Sequence, residues 1–376
     1  MAITLRRPRQ PDRKEQGNNR MKFRTIAILT ALIAGSMLAG TTAFTQSSTT
    51  SVKTTVTKAT PTPTPIPAPT IKEDDERIVV ETELVNLNVR VVDRNGRPIN
   101  DLKQSDFKIF EENEPQQIEF FSRSEVPTNY TLVVDNSGSL RQQLEKVIEA
   151  GKILVNSNKP DDETSIIRFV GNDKITVEED FTSKKQDLNE ALDNMFIEGG
   201  QTAVRDAVYL AAQRVTDYEK SSKNEDRIRR ALVLVSDGED RNSFYTEAQL
   251  FELLRETDVQ IYVIGFIDDL DNDAGFIRKS PKSKSKAFLE RLAADTGGKS
   301  YFPTSANDLP EIARNISAEL RTQYSIGYLP PNNVTPGTFR NIKVMVNDGP
   351  GGTKRIAITK AGRTASGPAS TSVKKD

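Results

Sequence analysis

There is no cysteine and no histidine anywhere in the 376 residues. Without cysteine there can be no disulfide, no thiolate zinc site, no cysteine nucleophile and no lipid attached through a lipobox cysteine. Without histidine, Ser-His-Asp triads and most catalytic zinc sites are excluded. Any metal must therefore be held mainly by oxygen, and a side-chain general base would be Asp, Glu, Lys or Tyr. A surplus of one charge is also missing. Lys and Arg number 52 against 53 Asp and Glu, a formal net charge of −1. No global field favours nucleic acid or an anionic membrane, and nucleic acid is not an expected partner. Apolar residues make up 36%, low for a wholly globular chain, so part of it is expected to be linker or tail.

The amino-terminal 1–45 reads as an extension followed by a targeting segment. Met21-Lys22-Phe23-Arg24 precedes an apolar run from Ile26 to Gly40. A short cationic stretch before about 15 apolar or small residues is the pattern of a secretory signal peptide, and it is shorter than the ~20 residues of a membrane span. The expected destination is outside the cytoplasm: periplasm, cell envelope or medium. A cleaved leader and an uncleaved anchor both fit, as do Met1 and Met21 as the start. The membrane would be touched only through such an anchor. Residues 46–76 are rich in Ser, Thr and Pro, with Thr60-Pro61-Thr62-Pro63-Thr64-Pro65 at their centre. Such a stretch cannot bury a core and favours extended polyproline II, so it reads as a spacer.

Residues 77–127 carry period-two alternation, clearest in Leu84-Val85-Asn86-Leu87-Asn88-Val89-Arg90-Val91 and around Phe107-Lys108-Ile109-Phe110. This predicts a small antiparallel β unit of about four strands. Residues 128–322 alternate differently. Near-continuous apolar strands at Thr131–Asp135, Ser165–Val170, Ala231–Ser236, Val259–Gly265 and Lys299–Phe302 are separated by helical patterns over 140–157, 184–196, 203–218, 246–256, 285–296 and 307–321. Lys174–Val177 reads as an antiparallel edge strand. The expected fold class is α/β: a doubly wound, mostly parallel sheet covered on both faces, flanked by the antiparallel β unit. Strands return in 323–361, and these are expected to pair with the 77–127 strands, while 362–376 is expected to be a disordered tail.

Three loops stand where strands of such a sheet end, the usual place for a ligand. They are Asp135-Asn136-Ser137-Gly138-Ser139, Gly199-Gly200-Gln201-Thr202 and Ser236-Asp237-Gly238-Glu239. Taken singly each has a plain reading: Ser139 and Thr202 stand where helix N-caps belong, and Asp237-Gly238 is an ordinary turn signal. Taken together they offer carboxylates and hydroxyls, the oxygen donors a hard divalent cation selects. The ordered set Asp-x-Ser-x-Ser, Thr after a Gly-Gly turn, and Asp-Gly after a later apolar strand resembles the metal-ion-dependent adhesion site of the von Willebrand factor type A domain family. The flanking segments, with Glu111-Glu112-Asn113-x-Pro115-Gln116 on one side and Gln323-Tyr324-Ser325-Ile326-Gly327-Tyr328 on the other, resemble the bacterial exported subgroup of that family.

The resemblance implies a Rossmann-like fold and a metal held by Asp135, Ser137, Ser139, Thr202 and Asp237. It implies Mg²⁺, with Mn²⁺ or Ca²⁺ as alternatives, and a protein partner that presents an Asp or Glu carboxylate. No catalytic residue is implied, and the chain is expected not to be an enzyme. Two other functions remain open from sequence: a metal-assisted hydrolase with Asp237 or Glu239 as base, and a structural scaffold of the cell envelope. Two tempting motifs fail on spacing. Asp269, Asp271 and Asp273 imitate the start of an EF-hand loop, but Ala274 and Ser280 stand where Gly and Glu are required. Gly199-Gly200 belongs to no Gly-x-x-x-x-Gly-Lys-Ser/Thr phosphate loop.

Overall fold

The computed structural model describes residues 84–218, 228–268, 270, 280–331 and 334–365. The expected leader, the spacer, the first residues of the expected β unit, the end of the tail and most of the Asp-rich stretch lie outside the described residues. In chain order the elements are β1 (Val85–Val92), β2 (Phe107–Glu111), β3 (Glu114–Gln116), β4 (Ile118–Ser122), β5 (Thr128–Asp135), α1 (Leu144–Asn156), β6 (Glu163–Phe169), β7 (Ile175–Thr182), α2 (Lys185–Asp193) and α3 (Val204–Asp217). They continue as β8 (Arg229–Ser236), α4 (Glu247–Glu256), β9 (Val259–Gly265), α5 (Pro281–Thr296), β10 (Lys299–Tyr301), α6 (Leu309–Arg321), β11 (Tyr324–Tyr328), β12 (Phe339–Val346), β13 (Ile356–Ile358) and β14 (Gly362–Thr364).

The central sheet has six strands in the order β10-β9-β8-β5-β6-β7. All neighbours are parallel except β7, which runs antiparallel to β6 at the edge. Every residue of β5 is buried, because β5 lies mid-sheet with helices on both faces. Its side chains alternate. Tyr130, Leu132 and Val134 pack with residues of α1, α2 and α6, such as Leu154, Leu192 and Ile316. Val133 points the other way, into a core with Val208, Leu250 and Leu289 from α3, α4 and α5. Helix starts are set locally where the sequence allows. Thr246 caps α4 in a reciprocal box with Gln249, and Ser280 followed by Pro281 opens α5.

The flanking strands form two further four-stranded sheets, ordered β13-β1-β11-β4 and β14-β12-β2-β3. Each mixes strands from before and after the α/β domain: Val85 opposes Tyr328, and Ile109 opposes Val344. Leu87, Val89, Phe107, Ile109, Tyr324, Ile326 and Val344 form their shared core. The α/β domain is thus inserted in sequence between the two halves of a β unit with more strands than the alternation alone indicated. One expectation is corrected. Residues 362–364, assigned to a disordered tail, form β14 against β12, with Arg363 buried. The reason is not local. The Arg363 guanidinium meets the buried Glu111 carboxylate at 3.1 Å, a partner 252 positions away.

Candidate metal centre

Strand order reverses at β5: the chain leaves β5 through α1 to β6 on one side and later places β8 on the other. A crevice at the carboxyl ends of β5 and β8 is the expected ligand position in such a sheet. Asp135 ends β5, and Ser236 ends β8 with Asp237 immediately after it.

The first loop folds on its own carboxylate. The Ser137 backbone N–H donates to Asp135 Oδ1 at 2.9 Å, and the Ser137 and Ser139 hydroxyls lie 2.8 Å apart. The second Asp135 oxygen accepts the Ser236 hydroxyl at 2.8 Å, which joins the first loop to the third. The Asn136 carbonyl accepts the N–H groups of Glu198 and Gly199, both at 3.2 Å, which joins the first loop to the second. The Thr202 carbonyl accepts the N–H groups of Arg241 at 2.9 Å and Asn242 at 3.1 Å, which joins the second to the third. Each pair of loops is therefore bridged. Glycine makes two of these turns possible. Gly200 has φ +132° and a Cβ there would stand 2.8 Å from Val170, while Gly238 has φ +76° and a Cβ would stand 2.8 Å from Leu289.

The plain reading of the hydroxyls fails. Helix α1 begins at Leu144 with Gln143 as its N-cap, and α3 begins at Val204 with Ala203 as its N-cap. Neither Ser139 nor Thr202 caps a helix. Ser139 is exposed within a single tight turn, Gly138–Leu140, and Thr202 is buried with no hydrogen bond to its hydroxyl among the described residues. Asp237 accepts the Glu239 N–H at 2.8 Å, and that carboxylate oxygen turns the third loop.

The electrostatics are unusual. Asp135 is fully buried, and burial together with the Asp237 carboxylate beside it pushes its pKa up to about 7, against hydrogen bonds from Ser137 and Ser236. Among the described residues neither carboxylate forms an ion pair; Arg205 is engaged with Asp240 at 2.8 Å and Arg241 with Glu239 at 2.6 Å. Among the described residues the buried Asn136 Oδ1 has no partner. Among the described residues no group of three or more acidic side chains is arranged to hold an ion. The donor set here is instead two carboxylates with three hydroxyls, which suits a hard divalent cation.

The family model for the von Willebrand factor type A domain matches residues 129–315. Residues 129–315 are a von Willebrand factor type A domain. An uncharacterized protein of Synechocystis, sll0103, is 29% identical over 150 residues, 39% of this chain and 34% of that protein. The chain thus spans about a third of the length of that curated relative. Among solved structures, the hypothetical protein BatB of Bacteroides thetaiotaomicron is 19% identical over 51% of this chain and 98% of its own, with a TM-score of 0.38. A type A domain protein of Catenulispora acidiphila is 14% identical over 68% and 73%, with a TM-score of 0.41. Proximal thread matrix protein 1 of the mussel byssus, with a zinc-occupied MIDAS motif, is 16% identical over 52% and 48%, with a TM-score of 0.40.

Three groups at the type A domain site were not singled out from sequence. Ser236 bridges two loops and also accepts the Gly238 N–H at 3.0 Å. Its position before Asp237, at the end of an apolar strand, was the available signal. Asn136 ties the first loop to the second by its carbonyl and to Phe196 by its side chain. Asp206 fixes the end of the third loop by accepting the Phe244 N–H at 2.7 Å and the Tyr245 N–H at 2.8 Å. Nothing in its local sequence distinguishes Asp206 from an ordinary acidic residue in a first helical turn.

Proposed function

We propose that the chain is an exported, non-enzymatic protein-binding module whose type A domain works through a divalent cation, Mg²⁺ in preference to Mn²⁺ or Ca²⁺. Asp135, Ser137, Ser139, Thr202 and Asp237 would hold it. The observation that carries this reading is the three-way bridging of the loops, which gathers two carboxylates and three neutral hydroxyls, with no ion pair to either carboxylate among the described residues. Bound there, the ion would supply an electropositive seat for a carboxylate presented by a partner protein. Ser137, Ser139 and Thr202 are neutral donors, so they quench little of that charge, and the exposed position of Ser139 opens the seat to solvent. Export rests on the sequence of residues 21–45. Among the described residues no helix is long and apolar enough to cross a membrane.

A purely structural role for the ion has less support, because hydrogen bonds already join the loops without it. Hydrolysis has less support too, since of the two candidate bases Glu239 is ion-paired to Arg241 and Asp237 would itself hold the ion. Calorimetric titration of the full chain with MgCl₂ tests the reading, followed by capture from envelope extract with and without EDTA. Saturable binding lost in Asp135→Ala, and capture lost in EDTA, are expected. Capture undiminished by chelator would overturn the proposal.

A further inference from the structure

The large apolar side chains left exposed among the described residues are Phe196, Phe244, Leu329, Phe339, Met345 and Ile356. The last four belong to the β unit or its connections. The first two sit on the second and third loops of the metal centre, at 52% and 44% exposure. Their apolar neighbours Met195, Ile197 and Tyr245 pack inward, whereas these two rings face outward.

Both rings are held ready. The Phe196 carbonyl accepts the side-chain amide of Asn136, the residue after Asp135. The Arg168 guanidinium lies 4.6 Å from the Phe196 ring centroid. The Phe244 N–H is bound by Asp206, and its ring meets Tyr245 edge-on at 5.4 Å, with Tyr245 stacked on Tyr209 at 3.7 Å. A ring already fixed in place loses little freedom when a partner covers it, so its burial counts toward affinity.

The charges on this rim point to the sign of the partner. Three of its carboxylates are paired with their own cations: Glu198 with Arg168 and Lys174, both at 2.7 Å, Glu239 with Arg241, and Asp240 with Arg205. Arg141, two residues after Ser139, is exposed and forms no ion pair among the described residues. Arg141 thus adds one unpaired positive charge close to the first loop.

We infer that this face reads a short protein segment in which a single Asp or Glu is flanked by bulky apolar side chains, the acid seated at the metal and the apolar neighbours on Phe196 and Phe244. The inference rests on the function proposed above and adds the partner's local chemistry to it. Covering the open half of the two rings should tighten binding roughly tenfold or more over an acid in a bare context.

Two synthetic nonapeptides test it against the full chain by fluorescence polarisation in Mg²⁺ and in EDTA. One carries a central Asp between Leu and Phe residues, the other a central Asp between glycines. The apolar-flanked peptide is expected to bind at least tenfold more tightly, and only with Mg²⁺. In the Phe196→Ser/Phe244→Ser double variant the preference should shrink to within threefold, with metal titration on the same samples reporting separately on the ion site. Equal affinity for the two peptides, or a preference unchanged in the variant, overturns this inference and leaves the metal-dependent reading standing. Binding by neither peptide, or binding indifferent to EDTA, counts against the underlying reading and takes this inference with it.

Discussion

Three buried carboxylates show how differently the two regions of this molecule treat charge. In the β unit, Glu111 is fully buried and meets Tyr328 at 2.5 Å, Arg340 at 3.0 Å and Arg363 at 3.1 Å. Where the β unit meets the α/β domain, Glu319 of α6 is joined by Arg90 of β1, by Lys299 at 2.8 Å and by Tyr301 at 3.2 Å. At the opposite ends of the central strands, Asp135 has only neutral donors and a second carboxylate. Buried charges in proteins are ordinarily paired, because desolvating an unpaired one is expensive. Glu111 and Glu319 obey the rule within the chain. Asp135 does not, and the simplest completion is a cation from outside.

The comparison breaks first if the paired carboxylates prove dispensable. Arg90→Met leaves Glu319 buried beside only Lys299 and Tyr301. It should cost about 3 kcal/mol, the lower end for removing one partner of a buried ion pair, read as a lower urea midpoint. An unchanged midpoint would mean that this junction is not held by charge.

The next effect separates the two regions directly. Mg²⁺ at 100 times its dissociation constant should stabilise the wild type by about 2.7 kcal/mol and leave Asp135→Asn unmoved. In chelator, Asp135→Asn should be no less stable than wild type, because it removes a buried charge without a partner while its amide can still satisfy Ser137 and Ser236. A clear loss in chelator would show that Asp135 is structural after all. Thermal unfolding followed by circular dichroism reads both.

A pH series sharpens the contrast from the other side. Burial by itself raises the Glu111 pKa, but hydrogen bonds from Tyr328, Arg340 and Arg363 outweigh it and hold the group below the ordinary glutamate value of 4.5. A folded-state pKa below the unfolded value means that the unfolded chain binds the proton more readily. The stability this group contributes is therefore present above about pH 4.5 and is lost as pH falls through the folded value. Glu111→Gln should be weaker at neutral pH and should show a flatter acid limb. An acid limb of unchanged slope would assign the sensitivity to other groups.

The smallest effect on stability should be Ser139→Ala. Were Ser139 a helix cap, its loss would cost about 1 kcal/mol. It lies outside any cap and is exposed, so the change should stay within about 0.5 kcal/mol. Metal affinity should nevertheless drop at least tenfold, since even outer partners of metal ligands cost 10–100-fold. A cap-sized stability loss with unchanged affinity would return Ser139 to the ordinary reading.

Much of the fold was legible because its signals are local. An apolar run such as Ala231-Leu232-Val233-Leu234-Val235 reads as a strand covered on both faces wherever it stands. The five candidate ligands were legible for a related reason: each follows a strand or a Gly-Gly turn, and strand ends are where such sheets place ligands. What escaped was set at long range. The backbone of β14 is short and polar, and only its pairing with β12 and the Arg363–Glu111 contact make it a strand. The edge strand expected at Lys174–Val177 extends to Thr182, because Phe169 to Thr164 of β6 supply a ladder that composition does not reveal.

The order of residues alone determined which groups the site could contain. With neither cysteine nor histidine available, only oxygen donors remained, and they stood in three separate loops. Folding decided whether those loops meet, and which carboxylates would be left without a counter-charge. Both depend on hydrogen bonds and ion pairs between residues up to hundreds of positions apart, such as Ser236 with Asp135 and Arg90 with Glu319. Burial gives a charge its cost and geometry gives it a partner, and neither property exists in the chain before it is folded.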